Sequence, residues 1–108
     1  MSLSSFRAGS GDYQAVRPLA LTILPIPGLT TVTETYSAAI GNIVTGSIAD
    51  LTTDSLTTAQ FATPNAFSGL FITNSFIAAT GVLTIIYVNN SSSTISPAAA
   101  TQVNLLVF

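Results

Sequence analysis

Two apolar runs joined by a short turn dominate the hydrophobic pattern, and they predict a β-hairpin over residues 69–90. The second run, residues 82–88, is β-branched or aromatic at six of its seven positions, a composition typical of strands. Both of its faces are mostly apolar, which predicts a central strand that is covered on two sides. Gly81 lies in the predicted turn, and a run of Asn and Ser residues from Asn89 onwards ends the second strand.

Alternating apolar and polar side chains predict further strands on both sides of this hairpin. Residues 19–24 form the first and end at two prolines, residues 30–38 carry a threonine face, and residues 42–48 form a shorter strand weakened by a glycine. The last strand covers residues 101–108. Because its end is strongly apolar, we expect it at the centre of a sheet or in an interface.

The remaining segments lack a strand pattern. Residues 49–66 predict a long loop that packs its few apolar side chains onto the sheet, and residues 91–100 predict a second loop. Residues 1–18 predict an extended N-terminal arm, followed by one domain over residues 19–108. About six or seven short strands and no convincing helix predict an all-β fold, either an antiparallel β-sandwich or a small barrel, which share this sequence pattern.

The charge content is unusually low. Only 6% of the 108 residues are charged and 48% are hydrophobic, whereas about a quarter of an ordinary soluble domain is charged. Few charges leave an isolated surface prone to association, so we expect an assembly and a homo-oligomer. No apolar run approaches the roughly 20 residues of a spanning helix, and the first residues do not resemble a secretory signal. We therefore expect no membrane partner and synthesis in a cytoplasm without a cleaved leader.

The side chains that most enzymes use are missing from the sequence. It has no His, Cys or Lys, which removes the usual general base, thiolate and Schiff-base amine. We therefore predict a non-enzymatic protein without a cofactor. With two arginines as its only basic residues, the chain has no basic patch that could bind nucleic acid, and we predict no nucleic-acid partner. Asp50 and Asp54 have oxygen ligands for a hard cation such as calcium, but they match no full calcium-loop motif, so we predict turn carboxylates and no metal site.

Aromatic residues and cations in the arm suggest a partner-binding role for it. Phe6, Tyr13 and Val16 are candidate anchors on a neighbouring subunit, where the two arginines would find carboxylates; the alternative is a disordered terminus. The phenylalanines between positions 61 and 76 are expected in the core or a subunit interface. The predicted partner-binding residues are Phe6, Arg7, Tyr13, Arg17, Phe61 and Phe108. Glycosylation patterns at Asn89 and Asn90 are interpreted as turn sequence.

Four segments together resemble a known family. They are PGLTTVTETY (27–36), GLFITNSF (69–76), GVLTIIYVNN (81–90) and TQVNLLV (101–107). The chain has a threonine-rich strand after a Pro/Gly turn, then an apolar strand ending in Val-Asn, and then a last strand after a polar loop. In this order of elements it is similar to small β-sandwich structural proteins of tailed bacteriophages. The likeness covers residues 25–108 and leaves the arm outside.

The resemblance implies a virion role. It implies a capsid decoration (cement) protein, a homotrimer that stabilises the shell by bridging neighbouring copies of the major capsid protein.

Because no side chain has an ordinary pKa between 5 and 8, we expect attachment that does not depend on pH over that range. The alternative is a tail-fibre or host-attachment module that binds glycan through residues 49–66 and 91–100.

Overall fold

The computed structural model describes residues 15–108, so Phe6, Arg7 and Tyr13 of the predicted partner-binding set lie outside the described part. Seven strands and no helix occur in this part, which confirms the predicted all-β fold, and no helix there is long and apolar enough to span a membrane. The strands are β1 (Ala15–Leu21), β2 (Thr30–Tyr36), β3 (Ile43–Thr45), β4 (Thr57–Phe61), β5 (Leu70–Ala79), β6 (Val82–Asn89) and β7 (Thr101–Val107).

The strands form two separate antiparallel sheets, so the fold is a sandwich rather than a barrel. One sheet has the order β3-β1-β7-β4 and the other the order β2-β6-β5. Alternate residues of each strand point between the sheets. The core therefore contains Leu19, Leu21 and Leu105 from the first sheet and Leu83 and Ile85 from the second.

The predicted hairpin is confirmed, and its second strand, β6, is the centre of the three-stranded sheet. The inner face of β6 is fully buried at Leu83, Ile85 and Tyr87. Its outer face is covered less than the pattern predicts, because Val82 and Ile86 remain half-exposed. The last strand, β7, is also central, between β1 and β4.

The predicted loop over residues 49–66 is wrong in its second half, where the chain forms β4. This strand pairs with β7 from Thr57 to Phe61 at the margin of the four-stranded sheet. Only Ala59 of β4 is buried, so the segment has almost no apolar periodicity. Its strand conformation comes from ladder hydrogen bonds to β7, which the local sequence does not reveal.

The first strand begins at Ala15, so residues 15–18, the last four of the predicted arm, lie in β1. Pro18 is an uncommon residue within a strand, because proline cannot donate to a ladder. It is tolerated because β3 pairs with β1 only at Ala20 and Leu21. The first half of β1 is therefore free on that side, as suits an edge position.

A buried serine joins the two sheets where β4 meets β5. The Oγ of Ser75 accepts a hydrogen bond from the backbone N–H of Ala59 over 2.8 Å. A register irregularity between Ile72 and Asn74 interrupts the pairing of β5 with β6 just before this serine. The N–H of Ala59 lies on the edge strand β4 and is buried, so it has neither a neighbouring strand on that side nor water as acceptor. The Ser75 hydroxyl accepts its hydrogen bond instead.

At the far end of β6, the fully buried Asn89 organises the adjoining loops. Its Nδ2 donates to the carbonyls of Ile26 and Ser93 over 2.9 and 3.0 Å. Its Oδ1 accepts from the N–H and the hydroxyl of Ser91 over 2.9 and 2.7 Å. All the hydrogen-bonding capacity of the amide is used. Asn89 is therefore a structural residue with no free amide for a glycan, in keeping with its interpretation as turn sequence.

Candidate interaction surface

The side of the three-stranded sheet that faces away from the core is an uncharged, partly apolar surface, here called the outer face. Directly opposed residues of paired strands share a face, so the register of β2, β6 and β5 gives its three cross-strand rows. These rows are Thr31, Val88 and Phe71; Thr33, Ile86 and Asn74; and Thr35, Thr84 and Phe76.

Two aromatic side chains make this face a candidate for contact with a partner. Phe71 is 49% exposed and Phe76 is 44% exposed, and Ile86 and Val88 between the strands are half-buried. Solvent-facing sides of antiparallel sheets usually carry polar residues instead. Full burial of an exposed phenylalanine side chain contributes about 1.5–3 kcal/mol, and these two are already about half buried, so a partner that covered this face would gain part of that free energy from each ring.

The arginine predicted to bind a neighbouring subunit is paired within its own chain. Two guanidinium nitrogens of Arg17 donate to the two carboxylate oxygens of Asp50 over 2.5 and 2.7 Å, and one also donates to the carbonyl of Ser47 over 3.3 Å. The hydrogen bonds from Arg17 lower the pKa of the Asp50 carboxyl to about 2. The bidentate pair connects β1 to the loop after β3, so Arg17 has a structural partner for its charge.

Phe61 is half-buried at the end of β4 and forms part of a small aromatic group. Its ring meets Phe67 edge to face with centroids 5.4 Å apart and stacks on Tyr87 at 6.3 Å. The chain between β4 and β5 borders a cleft of about 610 Å³ here, lined also by Pro64 and Asn65. The prediction of a core or interface role for Phe61 is therefore compatible with its place, which is partly core and partly cleft wall.

Phe108 follows β7 and lies at the opposite end of the sandwich from this cleft. It is half-buried, and its backbone N–H donates to the carbonyl of Leu56 over 2.9 Å. The structure thus does not bring Arg17, Phe61 and Phe108 together into one surface. Among residues 15–108, the exposed aromatic residues are instead Phe71 and Phe76. The sequence pattern predicted one role, core or interface, for all the phenylalanines between positions 61 and 76, and so did not distinguish these two.

Three polar groups meet on the inner side of the β2-β6 pair. The hydroxyl of Tyr36 donates to Glu34 Oε1 over 2.5 Å and lies 2.8 Å from the hydroxyl of Tyr87. Burial is the largest cause that raises the pKa of both tyrosines well above their ordinary value. This cluster satisfies buried polar atoms, and residues 15–108 contain no group of three or more side chains suited to a metal ion.

The alternation of threonine with apolar residues predicted β2, but only strand pairing reveals that its threonines continue a surface formed by β5 and β6. No local signal marks this face, because the two phenylalanines stand in an apolar segment that also supplies core residues. Comparison of the chain with protein-family models, with curated proteins and with solved structures finds no match.

Proposed function

We propose that this chain is a non-enzymatic structural protein of a virion, a decoration protein that attaches to the major capsid protein. The observation that carries the proposal is the outer face, where two exposed phenylalanines stand on a hydrogen-bonded sheet without a charged side chain. A rigid face orders few side chains on binding, so more of the contact energy remains as affinity.

The distribution of charge supports a structural role. Of the acidic and basic side chains in residues 15–108, Arg17 and Asp50 pair with each other, Glu34 accepts a hydrogen bond from Tyr36, and only Asp54 has no such partner there. The others have structural partners, which leaves little for acid–base chemistry. Repeated attachment over a symmetric shell multiplies a modest contact, so one small face per copy is enough for strong retention. The homotrimer implied by the resemblance remains a prediction.

Attachment to virions tests this proposal. Phe76→Asp places a charge in the outer face at a position that is exposed, so the sandwich is expected to fold. Tagged protein is mixed with purified shells of the major capsid protein, and the fraction that sediments with the shells is measured. The expected result is binding by the wild type at a fixed ratio to the shell subunits and loss of at least about tenfold in affinity for Phe76→Asp.

Thr58→Asp is the matched control, because Thr58 is an exposed strand residue of the other sheet and should leave attachment unchanged. Wild-type attachment is also expected to be equal at about pH 5 and about pH 8, since the chain has no histidine. Failure of the wild type to bind shells, or equal loss of binding in both variants, would contradict the proposal.

The cleft beside Phe61 favours one second candidate, an adhesive module that binds an uncharged glycan. Aromatic rings with a nearby amide are suited to sugars, which offer apolar faces and hydroxyl groups, and Phe67 and Asn65 provide these at the cleft. A glycan-array signal that is lost in Phe67→Ala but kept in Phe76→Asp would support this candidate over the decoration protein.

A further inference from the structure

The free edge of β2 has a defined pattern of backbone groups. The N–H of Asn90 donates to Gly69 across the β5-β6 pair, so even-numbered residues of β6 direct their backbone groups toward β5. The odd-numbered residues of β6 therefore pair with the even-numbered residues of β2. By alternation, Thr31, Thr33 and Thr35 direct their N–H and C=O groups away from the sheet.

Part of this edge is already occupied by a side chain. The amide of Asn42 donates to the carbonyl of Thr35 over 2.8 Å and accepts from the N–H of Ser37 over 3.1 Å. Thr31 and Thr33 are different, because their four outward backbone groups have no hydrogen-bond partner within residues 15–108. Edge strands are usually protected by lysine, proline, a bulge or an inward-pointing charge. β2 has no lysine, proline or bulge; Glu34 is its one inward charge and is bonded to Tyr36, and the register of β2 with β6 is unbroken.

Beside this edge lies a groove of about 380 Å³ with Leu24 and Ile40 among its lining residues. These two side chains are 63% and 58% exposed, and Leu29, just before β2, is 74% exposed. A strand added at this edge would pair with the backbone groups and cover the large aliphatic side chains around them.

We propose that the occupant is a second copy of this chain, whose β2 pairs antiparallel with β2 about a two-fold axis at Val32. This register joins Thr31 of each copy to the partner's Thr33 through four backbone hydrogen bonds, which are the groups left free. It brings Leu29 of each copy beside the groove of the other. The two sheets become one continuous six-stranded sheet.

Charge also fits self-pairing in this register. Glu34 is the one acidic or basic residue in β2, and the register sets it opposite the partner's Thr30 rather than opposite the partner's Glu34. On the outer face, threonine meets threonine across the pair, an arrangement that stabilises neighbouring strands. The inference does not depend on the proposed virion role, and its test needs only the purified chain.

The test is the mass of the full chain in solution by sedimentation at several concentrations. Pairing at β2 joins chains two at a time, so the expected species has an even number of chains: a dimer, or a hexamer where the predicted trimer also forms.

A lysine double variant, Thr31→Lys with Thr33→Lys, and the equivalent glutamate double variant each place like charges directly opposite one another. Each alone should weaken the pairing at least about tenfold, and an equal mixture of the two should restore it.

Thr58→Lys with Gln60→Lys is the matched control, since it adds the same charges to exposed alternate positions of β4. It should keep the wild-type mass. Amide exchange gives a second readout: the amides of Thr31 and Thr33 should be protected in the wild type and exposed in either charged variant. A wild type that is only a monomer or only a trimer, or a mixture that fails to re-associate, would overturn the proposal.

Discussion

The side-chain amide of Asn89 donates to the carbonyl of Ile26 over 2.9 Å, and this bond joins the end of β6 to the crossing chain between β1 and β2. Ile26 also exchanges both backbone hydrogen bonds with Ile95, over 2.9 and 3.0 Å. The loop before β2 and the loop after β6 are thus held together by a backbone bridge and by one buried amide. A side chain of this kind determines loop positions that backbone pairing alone does not.

Asn89→Ala is therefore expected to lower the free energy of unfolding by at least about 2 kcal/mol, because it removes the four hydrogen bonds of a fully buried amide and leaves the N–H of Ser91 without its acceptor. Urea unfolding followed by circular dichroism measures the change. Asn90→Ala is the control: Asn90 is exposed, and a surface substitution of this type usually changes stability by less than about 0.5 kcal/mol. Equal effects of the two substitutions would contradict the structural role of Asn89.

Ser75→Ala is expected to cost about 1–3 kcal/mol of stability, since it leaves the N–H of Ala59 buried without an acceptor. The loss should be local as well as global: amide exchange at Ala59 should speed up more than exchange at Leu105 in the neighbouring strand. Ser96→Ala, in an exposed loop position, serves as the comparison. An unchanged exchange rate at Ala59 would show that the hydroxyl does not bridge the sheets.

The pair of Arg17 and Asp50 predicts a loss of stability in acid. The folded chain lowers the pKa of Asp50 from 3.8 to about 2, so this contribution is complete above the unfolded value and is lost as the pH falls from about 4 toward about 2. Asp50→Asn should flatten this part of the pH dependence of the unfolding midpoint. Asp54→Asn should not, because Asp54 has no arginine partner within residues 15–108. The same slope in all three proteins would refute the assignment.

Tyr36 and Tyr87 predict a loss of stability in alkali. Burial raises the pKa of both hydroxyls in the folded chain above the ordinary value of about 10. Above that pH the unfolded chain releases protons that the folded chain keeps, so stability falls with rising pH by up to about 1.4 kcal/mol per pH unit for each tyrosine.

Unfolding by urea between about pH 8 and about pH 11 measures this slope. The variant Tyr36→Phe with Tyr87→Phe should show a much shallower decline, although it is less stable at neutral pH because Glu34 loses a donor. A wild type whose unfolding midpoint does not change up to about pH 11 would mean that the two hydroxyls ionise without unfolding.

Strands with a strong pattern could be predicted from the sequence, and strands that depend on a partner could not. The hairpin of β5 and β6 shows itself in β-branched residues on either side of a Gly81 turn, and its buried face follows from period two. By contrast, β4 buries one alanine and owes its conformation to β7, whose paired residues lie 42 to 50 positions further along the chain. Local patterns contain no information on such a distant partner.

The same distinction holds for the candidate surface. Phe71 and Phe76 are as apolar as Ile77, which faces the core. Strict alternation would set positions 71 and 76 on opposite faces of β5, and the irregularity between Ile72 and Asn74 is what brings both phenylalanines to the outer face. We expected Arg17 to pair with a carboxylate of a neighbouring subunit. It does pair with a carboxylate, but that carboxylate belongs to Asp50 of its own chain. The edge at Thr31 and Thr33, which has no partner strand among residues 15–108, follows from the order of the strands in the sheet and not from any local pattern.

The pairing of β1 with β7, the first strand with the seventh, has a consequence for how the chain reaches its fold. Ala15 lies opposite Val107, so the four-stranded sheet forms only after nearly the whole chain has been brought into one loop. Closure of so large a loop is entropically costly and is rewarded late, which places this protein among slow folders with time constants of milliseconds to seconds. During synthesis the apolar residues of β1 are made long before β7, and in that interval they lack this neighbouring strand and are open to chaperones and to aggregation.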